Sequence, residues 1–213
     1  MMTAVRKFFN QKADTWDDEG ARERRAVSER IIRGLGILPG SRVLDVGCGT
    51  GLIIPWLLEA VGERGHVTAL DIAERMLRIA REKHDGSHLE FILADIAATP
   101  FLDRCFDEVV CHNCFPHVAD KHSAAAEMFR ILKPGGRATV CHNESREEVN
   151  ALHRFIGGEV GLDLLPGIDE MERLFSDAGF VEVSVHDGED MFVLQARRPN
   201  DPCEGGGMAH GPF

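Results

Sequence analysis

The fold of this chain is decided by the stretch Val43-Leu44-Asp45-Val46-Gly47-Cys48-Gly49-Thr50-Gly51. A β-rich run ends at Val46, three glycines follow at alternate positions, and apolar residues at helical spacing begin at Ile54. This order predicts a strand, a tight turn and a helix. Glycines let backbone N–H groups approach a ligand closely, and the helix N-terminus adds a partial positive charge. The turn is therefore expected to hold a small anionic or polar molecule.

A second strand, residues 65–71, ends in an acid about twenty residues further on. A carboxylate at this position accepts hydrogen bonds from ribose hydroxyls in Rossmann-like sites. Two kinds of site fit, one for a dinucleotide and one for S-adenosylmethionine. The dinucleotide fingerprint needs a third glycine three residues after the second, but Leu52 occupies that position here. The spacing disfavours an NAD-type oxidoreductase.

Five motifs in order resemble those of the class I S-adenosylmethionine-dependent methyltransferases, in their small-molecule branch. They are Asp45-x-Gly47-x-Gly49-x-Gly51, Leu70-Asp71-Ile72 with Met76-Leu77, Ala94-Asp95-Ile96, Phe106 to Val110, and Leu132-Lys133-Pro134-Gly135-Gly136. The match runs from about Phe8 to about Arg197. The resemblance implies an α/β fold with a Rossmann-like, doubly wound, seven-stranded sheet, in which strands 1–5 are parallel and a C-terminal antiparallel hairpin follows.

The resemblance also implies S-adenosylmethionine as the cofactor. Asp71 would hold the ribose, Ile72 and Met76 would flank the adenine, and Asp95 with Ile96 would meet the adenine amine and ring face. Cys48 would line the glycine turn, and His112 would lie near the methionine end. The complete predicted cofactor site is Asp45, Gly47, Cys48, Gly49, Gly51, Asp71, Ile72, Met76, Asp95, Ile96 and His112.

Length and charge limit the function. The chain has 213 residues, enough for one sizeable α/β domain, and 35 acidic against 24 basic residues give it a net charge of −11. It therefore lacks the basic field that a nucleic-acid substrate requires. No stretch has the apolar length of a membrane span and the start has no signal-peptide pattern, so we expect a cytoplasmic protein. Its six cysteines are expected to be free thiols or ligands.

The domain is expected to cover residues 1–198. Residues 1–36 form an N-terminal helical segment, whose aromatic opening resembles segments that fold over the cofactor in small-molecule members of the family; an ordinary surface segment is the alternative. Residues 199–213 are a Gly-rich tail without apolar periodicity and are expected to be disordered. The state of association is expected to be a monomer or a homodimer.

Cys-His-Asn occurs at the ends of both the fourth and the fifth strand, at 111–113 and 141–143. In similar register, His112 and His142 would point the same way, and Cys111 and Cys141 would share the other face. Neutral imidazoles and thiolates bind zinc-like divalent metals. One prediction is therefore a metal site formed by His142, His153 and His117. The alternatives are His142 as a general base or substrate contact, or no catalytic role.

A capping box at Ser145 and Glu148 predicts a helix that runs to Ile156. Arg146, Asn150 and His153 would share one side of this helix and face the acceptor.

These observations predict S-adenosylmethionine-dependent methyl transfer to a small-molecule acceptor, with His142, His153 and His112 as catalytic residues and a metal as a potential assistant. The cysteines leave a thiophilic acceptor open. The alternative from another class is a non-catalytic sensor module that binds S-adenosylmethionine or a metal.

Overall fold

The computed structural model of the chain describes residues 4–17, 21–158 and 160–201, of which 21–24 by backbone only. The helices are α1 Ala4–Lys12, α2 Ala21–Gly34, α3 Ile54–Val61, α4 Glu74–Lys83, α5 Lys121–Ile131, α6 Arg146–Ile156 and α7 Ile168–Asp177, with 3₁₀ turns at Ala13–Thr15 and Phe115–His117. The strands are β1 Arg42–Val46, β2 His66–Asp71, β3 Leu89–Leu93, β4 Phe106–His112, β5 Leu132–His142, β6 Val181–Asp187 and β7 Phe192–Arg197.

All seven strands form one sheet in the order β3-β2-β1-β4-β5-β7-β6. Strands β1 to β5 pair in parallel, and β7 pairs antiparallel with both β5 and β6. This confirms the predicted seven-stranded Rossmann-like sheet with its antiparallel finish. The chain moves outward from β1 in one direction and then crosses to β4 on the other side, so the strand order reverses between β1 and β4. Ligands of open α/β sheets bind at the carboxyl ends of the strands at such a reversal.

Both faces of the sheet are buried, because alternate residues of each strand enter two different cores. Leu44 and Val109 pack into the core that contains α5 and α7. Their chain neighbours Val43 and Val110 pack into the core that contains α2 and α3. The carboxyl ends of β1, β2, β4 and β5 are consequently held rigidly at one edge of the molecule.

The register of β4 and β5 differs from the one expected. His112 pairs with Cys141, and Cys111 pairs with Val140, so that Cys111 and Cys141 enter opposite cores. The prediction that the two cysteines share a face was wrong, and so was the prediction that His112 and His142 point the same way, because His112 shares a face with Cys141. The physical cause lies at the start of β5. This strand begins at Leu132 rather than at Gly136, and its pairing with β4 is irregular between Phe106 and Glu108 of β4.

The N-terminal segment lies beside the glycine turn. Glu74 of α4 accepts hydrogen bonds from Arg6 and Asn10 of α1, both at 2.9 Å. Asp17, just past the 3₁₀ turn, accepts one from Thr50 of the glycine turn at 2.7 Å. A segment that covers the cofactor is compatible with these contacts.

The last part of the predicted tail, from residue 202 onward, lies outside the described residues. Among the residues that are described, no helix has both the length and the apolarity needed to cross a bilayer.

Candidate active site

The glycine turn needs its glycines. Gly47, Gly49 and Gly51 all have positive φ, at +68°, +54° and +90°. The backbone N–H groups of Gly47 and Cys48 both donate to the carbonyl of Leu70, at 2.8 and 2.9 Å, which ties the turn to the end of β2. A Cβ on Gly47 would overlap the Sγ of Cys114 and would lie 2.6 Å from its Cβ. Any other residue there would close the space above the turn.

Two buried carboxylates stand next to this turn. Asp45 is 1% exposed, and its Oδ2 has no hydrogen-bond partner in the part of the chain that the structure describes. Burial, reinforced by the charge of Asp71, raises the pKa of Asp45 to about 8. Burial also raises the pKa of Asp71 to about 6, although its oxygens accept hydrogen bonds from the N–H groups of Gly49 and Ala73 at 2.8 and 2.7 Å. The orphaned oxygen of Asp45 suits a ligand that brings a cationic or hydroxyl donor.

The residues expected around an adenine lie at the same edge of the sheet. Ile72 follows β2 directly and is half-buried. Met76 is buried against Ala13 of the N-terminal segment, and Ile96 is buried in the core under α5. Asp95 follows β3 and accepts a hydrogen bond from the N–H of Ala97 at 2.9 Å.

Four histidines form a cluster at the carboxyl ends of β4 and β5. His112 and His142 end these strands, His117 belongs to the 3₁₀ turn that follows β4, and His153 belongs to α6. The rings of His117 and His153 are 4.8 Å apart between centroids, and Phe9 of α1 contacts His117 edge-on at 4.9 Å. His142 lies close enough to His112, His117 and His153 for their positive charges to disfavour its own protonation.

The buried histidines are neutral at pH 7. Burial, together with the neighbouring histidines, lowers the pKa of His142 to about 3. Burial lowers the pKa of His112 to about 4 and also lowers the pKa of His153. The Nε2 of His142 is buried without a hydrogen-bond partner in the described residues. The side chain of His142 is thus, like that of Asp45, a buried polar group with an atom that no described residue satisfies.

Asp163 was missed by the sequence reasoning, although it orients two of these rings. The Nδ1 of His117 lies 2.9 Å from its Oδ2, and the Nδ1 of His153 hydrogen-bonds its backbone carbonyl. Both oxygens are acceptors, so both imidazoles carry hydrogen on Nδ1 and direct their Nε2 atoms away from Asp163. Nothing local marks Asp163, which is 46 residues from His117 in the chain.

His112 is oriented by a second set of contacts. Its Nε2 lies 3.0 Å from the Oδ1 of Asn143, and the Nδ2 of Asn143 donates to the Oγ of Ser28 at 3.1 Å. Asn113 accepts from the N–H of Asn143 at 3.1 Å. Ser28 was also missed, because it comes from α2, 115 residues away from Asn143.

The capping box of α6 is present, and the helix spans the predicted residues. The side chains expected to face the acceptor have different surroundings. His153 belongs to the histidine cluster, but Asn150 is buried and exchanges two hydrogen bonds with the backbone of Leu165, at 3.0 and 2.7 Å. Arg146 is the first residue of α6, and its backbone N–H donates a hydrogen bond to the side chain of Asp187 at 2.9 Å.

The predicted metal ligands do not form a recognisable metal centre. His142, His153 and His117 are neighbours, but residues 4–17, 21–158 and 160–201 contain no group of three His, Cys, Asp or Glu side chains arranged to hold a metal ion.

Comparison with known proteins identifies the family. Residues 43–136 match the family described as a methyltransferase domain. Demethylmenaquinone methyltransferases of several Staphylococcus aureus strains are 32% identical over 181 residues, covering 74% of this chain and 75% of the relative. The chain belongs to the class I S-adenosylmethionine-dependent methyltransferases.

Solved structures share this architecture. An S-adenosylmethionine-dependent methyltransferase of Aquifex aeolicus is 25% identical, with a TM-score of 0.71, over 88% of this chain and 97% of that one. A Haloferax volcanii methyltransferase complex with the activator Trm112 contains a chain that is 23% identical, with a TM-score of 0.74, over 90% and 98% of the two chains. The methyltransferase is therefore an enzyme that uses S-adenosylmethionine, as the resemblance of its five motifs implied, and the NAD-type and sensor alternatives are set aside.

Proposed function

We propose that this methyltransferase transfers the methyl group of S-adenosylmethionine to a small-molecule acceptor bound against the four-histidine cluster. The observation that carries the proposal is the convergence of His112, His117, His142 and His153 at the carboxyl ends of β4 and β5, with an unsatisfied Nε2 on His142. The net charge of −11 argues against a nucleic-acid acceptor. The Staphylococcus aureus relatives are named for a small quinone acceptor, which supports the same class here.

For the cofactor we propose the roles that the sequence predicted. Asp71 binds the ribose hydroxyls, Ile72 and Met76 flank the adenine, and Asp95 with Ile96 contacts its amine and face. Asp45 and the N–H groups of the glycine turn bind the polar methionine end, with Cys48 and His112 beside it. The cofactor supplies a methyl group already activated on a sulfonium, so the protein needs chiefly to align the nucleophile and remove its proton.

For the proton we propose His117, held by Asp163, as the acceptor. A neutral imidazole with hydrogen on Nδ1 has its Nε2 lone pair available, and the carboxylate at 2.9 Å stabilises the imidazolium that forms. His142 is the weaker base of the cluster because its pKa is lowered to about 3. We therefore propose that His142, His153 and His112 act catalytically by accepting or donating hydrogen bonds that position the acceptor.

A metal is not needed for this proposal. The monomer or homodimer expected from the sequence stays a prediction.

The test combines binding and turnover in the full chain. Calorimetry with S-adenosylmethionine and its demethylated product should give 1:1 binding for the wild type and for Asp163→Asn. Transfer of radioactive methyl to a panel of hydroxylated ring compounds, including a demethylated quinol, should give turnover in the wild type only. The expected loss of kcat in Asp163→Asn is on the order of a hundredfold or more.

The matched control is Asp169→Asn, which changes an exposed acid of α7 and should leave kcat unchanged. Wild-type kcat in Asp163→Asn would refute the role of His117 and Asp163. Failure of the wild type to bind either cofactor form would refute the proposed function itself.

A further inference from the structure

One lysine occupies an unusual position in the helix that follows the 3₁₀ turn of His117. Lys121 is the first residue of α5, where the positive end of the helix dipole disfavours a cation. Its side chain is directed back toward the preceding loop and is only partly exposed. The charge of Lys121 does not stabilise its own helix, so the reason for its position lies in its other contacts.

The ammonium group of Lys121 binds the backbone on both sides of His117. Its Nζ donates hydrogen bonds to the carbonyls of Pro116 and Val118, at 3.0 and 2.9 Å. These carbonyls belong to the residues immediately before and after His117 in the chain. An ammonium group has three donors and can serve both carbonyls at once, so one side chain holds the backbone around His117.

The turn that carries His117 has little backbone support of its own. It is a 3₁₀ turn of three residues, Phe115 to His117. The N–H of His117 donates to the carbonyl of Cys114 at 2.9 Å, and the N–H of Val118 donates to that of Phe115 at 3.1 Å. Hydrogen bonds in such turns have poorer geometry than those of an α-helix. The two bonds from Lys121 therefore add substantially to what holds the turn in place.

Lys121 also lies close to the acid that orients the His117 ring. Burial lowers the pKa of Lys121, while the negative charges of Asp163 and Glu170 favour its protonated form. Asp163 in turn lies 2.9 Å from the Nδ1 of His117, and these two side chains are only 22% and 12% exposed. Water screens charges weakly at such sites. The ammonium therefore attracts the same carboxylate that orients the imidazole.

We infer that Lys121 is a positioning residue for methyl transfer. It holds the backbone of His117 and attracts Asp163, so that the imidazole keeps its orientation while it takes the proton of the acceptor. The inference rests on the proposed function and adds a residue that acts through His117. The alternative is a purely structural contact that fastens the loop before α5.

Steady-state methyl transfer by the full chain tests this role, with the compound of the hydroxylated panel that the wild type methylates fastest. Lys121→Met keeps an apolar stem and removes the ammonium. It should lower kcat about tenfold or more, because a small displacement of a catalytic group costs much of its effect. The KM for S-adenosylmethionine should stay at the wild-type value. Lys121→Arg keeps the charge and the N–H donors and should recover most of the lost kcat.

A double-mutant cycle shows whether Lys121 acts through Asp163. In the Asp163→Asn background, Lys121→Met should lower kcat no further, within about twofold, because the group it positions is already impaired. Losses that multiply would assign Lys121 the purely structural role and overturn the inference. The matched control is Arg64→Met, which replaces an exposed cation in the loop before β2 and should leave kcat unchanged.

Proton NMR adds a readout that needs no acceptor. The Nδ1–H of His117, bonded to the carboxylate of Asp163, should give a low-field signal in the wild type that is missing in Asp163→Asn. Lys121→Met should broaden or remove this signal, and Lys121→Arg and Arg64→Met should retain it. An unchanged signal or a wild-type kcat in Lys121→Met would overturn the inference. A wild type that shows the signal but transfers no methyl group would instead count against the proposed function.

Discussion

Replacement of Asp45 by Asn should remove a pH dependence from the stability of the apoprotein. Asp45 is buried, and its pKa is raised to about 8 from a usual value of 3.8. Between these two pH values the native state keeps a proton that the unfolded chain has lost. The native state therefore binds more protons, and its free energy of unfolding falls as the pH rises through this window.

Buried histidines change the free energy of unfolding with pH in the direction opposite to Asp45. The pKa values of His142 and His112 are lowered from 6.5 to about 3 and about 4, so these rings destabilise the native state as the pH falls below 6.5. The unfolded histidines still lose protons just above pH 6.5, but this contribution is the same in the wild type and in Asp45→Asn, so the difference between the two proteins isolates Asp45. One pKa unit corresponds to about 1.4 kcal/mol, which gives a loss of about 2 kcal/mol between pH 6.5 and pH 8.

Urea unfolding of the apoprotein at several pH values between 6.5 and 8 measures this slope. The stability of the wild type relative to Asp45→Asn should fall by about 2 kcal/mol across the range, because an amide does not titrate. Any constant cost of burying the amide shifts the whole curve and leaves its slope unchanged. Asp85→Asn, which changes an exposed acid, is the control and should follow the wild type. Parallel curves for the wild type and Asp45→Asn would show that Asp45 is already ionised in the native state and would refute the reasoning.

Three further outcomes are expected. Gly47→Ala should lower the free energy of unfolding, measured in urea, by about 2 kcal/mol or more, because its Cβ would meet Cys114 at a positive φ. Gly36→Ala has a similar φ and nothing within 4 Å of its Cβ, so it should lower the free energy of unfolding by only about 1 kcal/mol. Equal losses in the two variants would contradict the crowding at Gly47. Asp71→Ala should weaken calorimetric binding of S-adenosylmethionine about tenfold or more through lost ribose hydrogen bonds, and unchanged affinity would remove that assignment. Asn150→Ala should speed proteolytic cleavage between residues 157 and 167 several-fold, since two buried hydrogen bonds to Leu165 are lost; an unchanged cleavage pattern would mean that other contacts hold the loop.

Local patterns were sufficient for the strands, helices and glycine turn. The alternation and helical spacing around Val46 and Ile54 reflect which side chains are buried, and the capping box at Ser145 satisfies backbone donors within four residues. Three of the motifs that resemble the family, at Asp45, Asp71 and Asp95, lie at the carboxyl ends of β1, β2 and β3, which meet at one edge of the sheet. These features depend on neighbours in the chain, so they are readable without a structure.

The register of β4 against β5 could not be predicted from the sequence. For the same reason, the sequence did not show that Cys111 and Cys141 lie on opposite faces of the sheet. Two strands with similar sequences can pair in registers that differ by one residue. The register of β4 and β5 depends on the irregular pairing at the start of β5, near Gly136. The surroundings of the expected metal ligands were not predictable for a related reason. The directions of His117 and His153 depend on Asp163, whose position is set by a loop.

The sequence by itself determined the order of strands, helices and turns, because glycines and periodic apolar residues act through short-range sterics and burial. Its five motifs carried the resemblance that implied the family and the cofactor of this methyltransferase. The tertiary structure alone decided which groups meet in the site: Asp163 with His117, Ser28 with Asn143, and Phe9 with the histidine cluster. These partners are far apart in the chain, and their meeting depends on packing of whole helices and loops against the sheet. No local pattern of residue types encodes such a meeting.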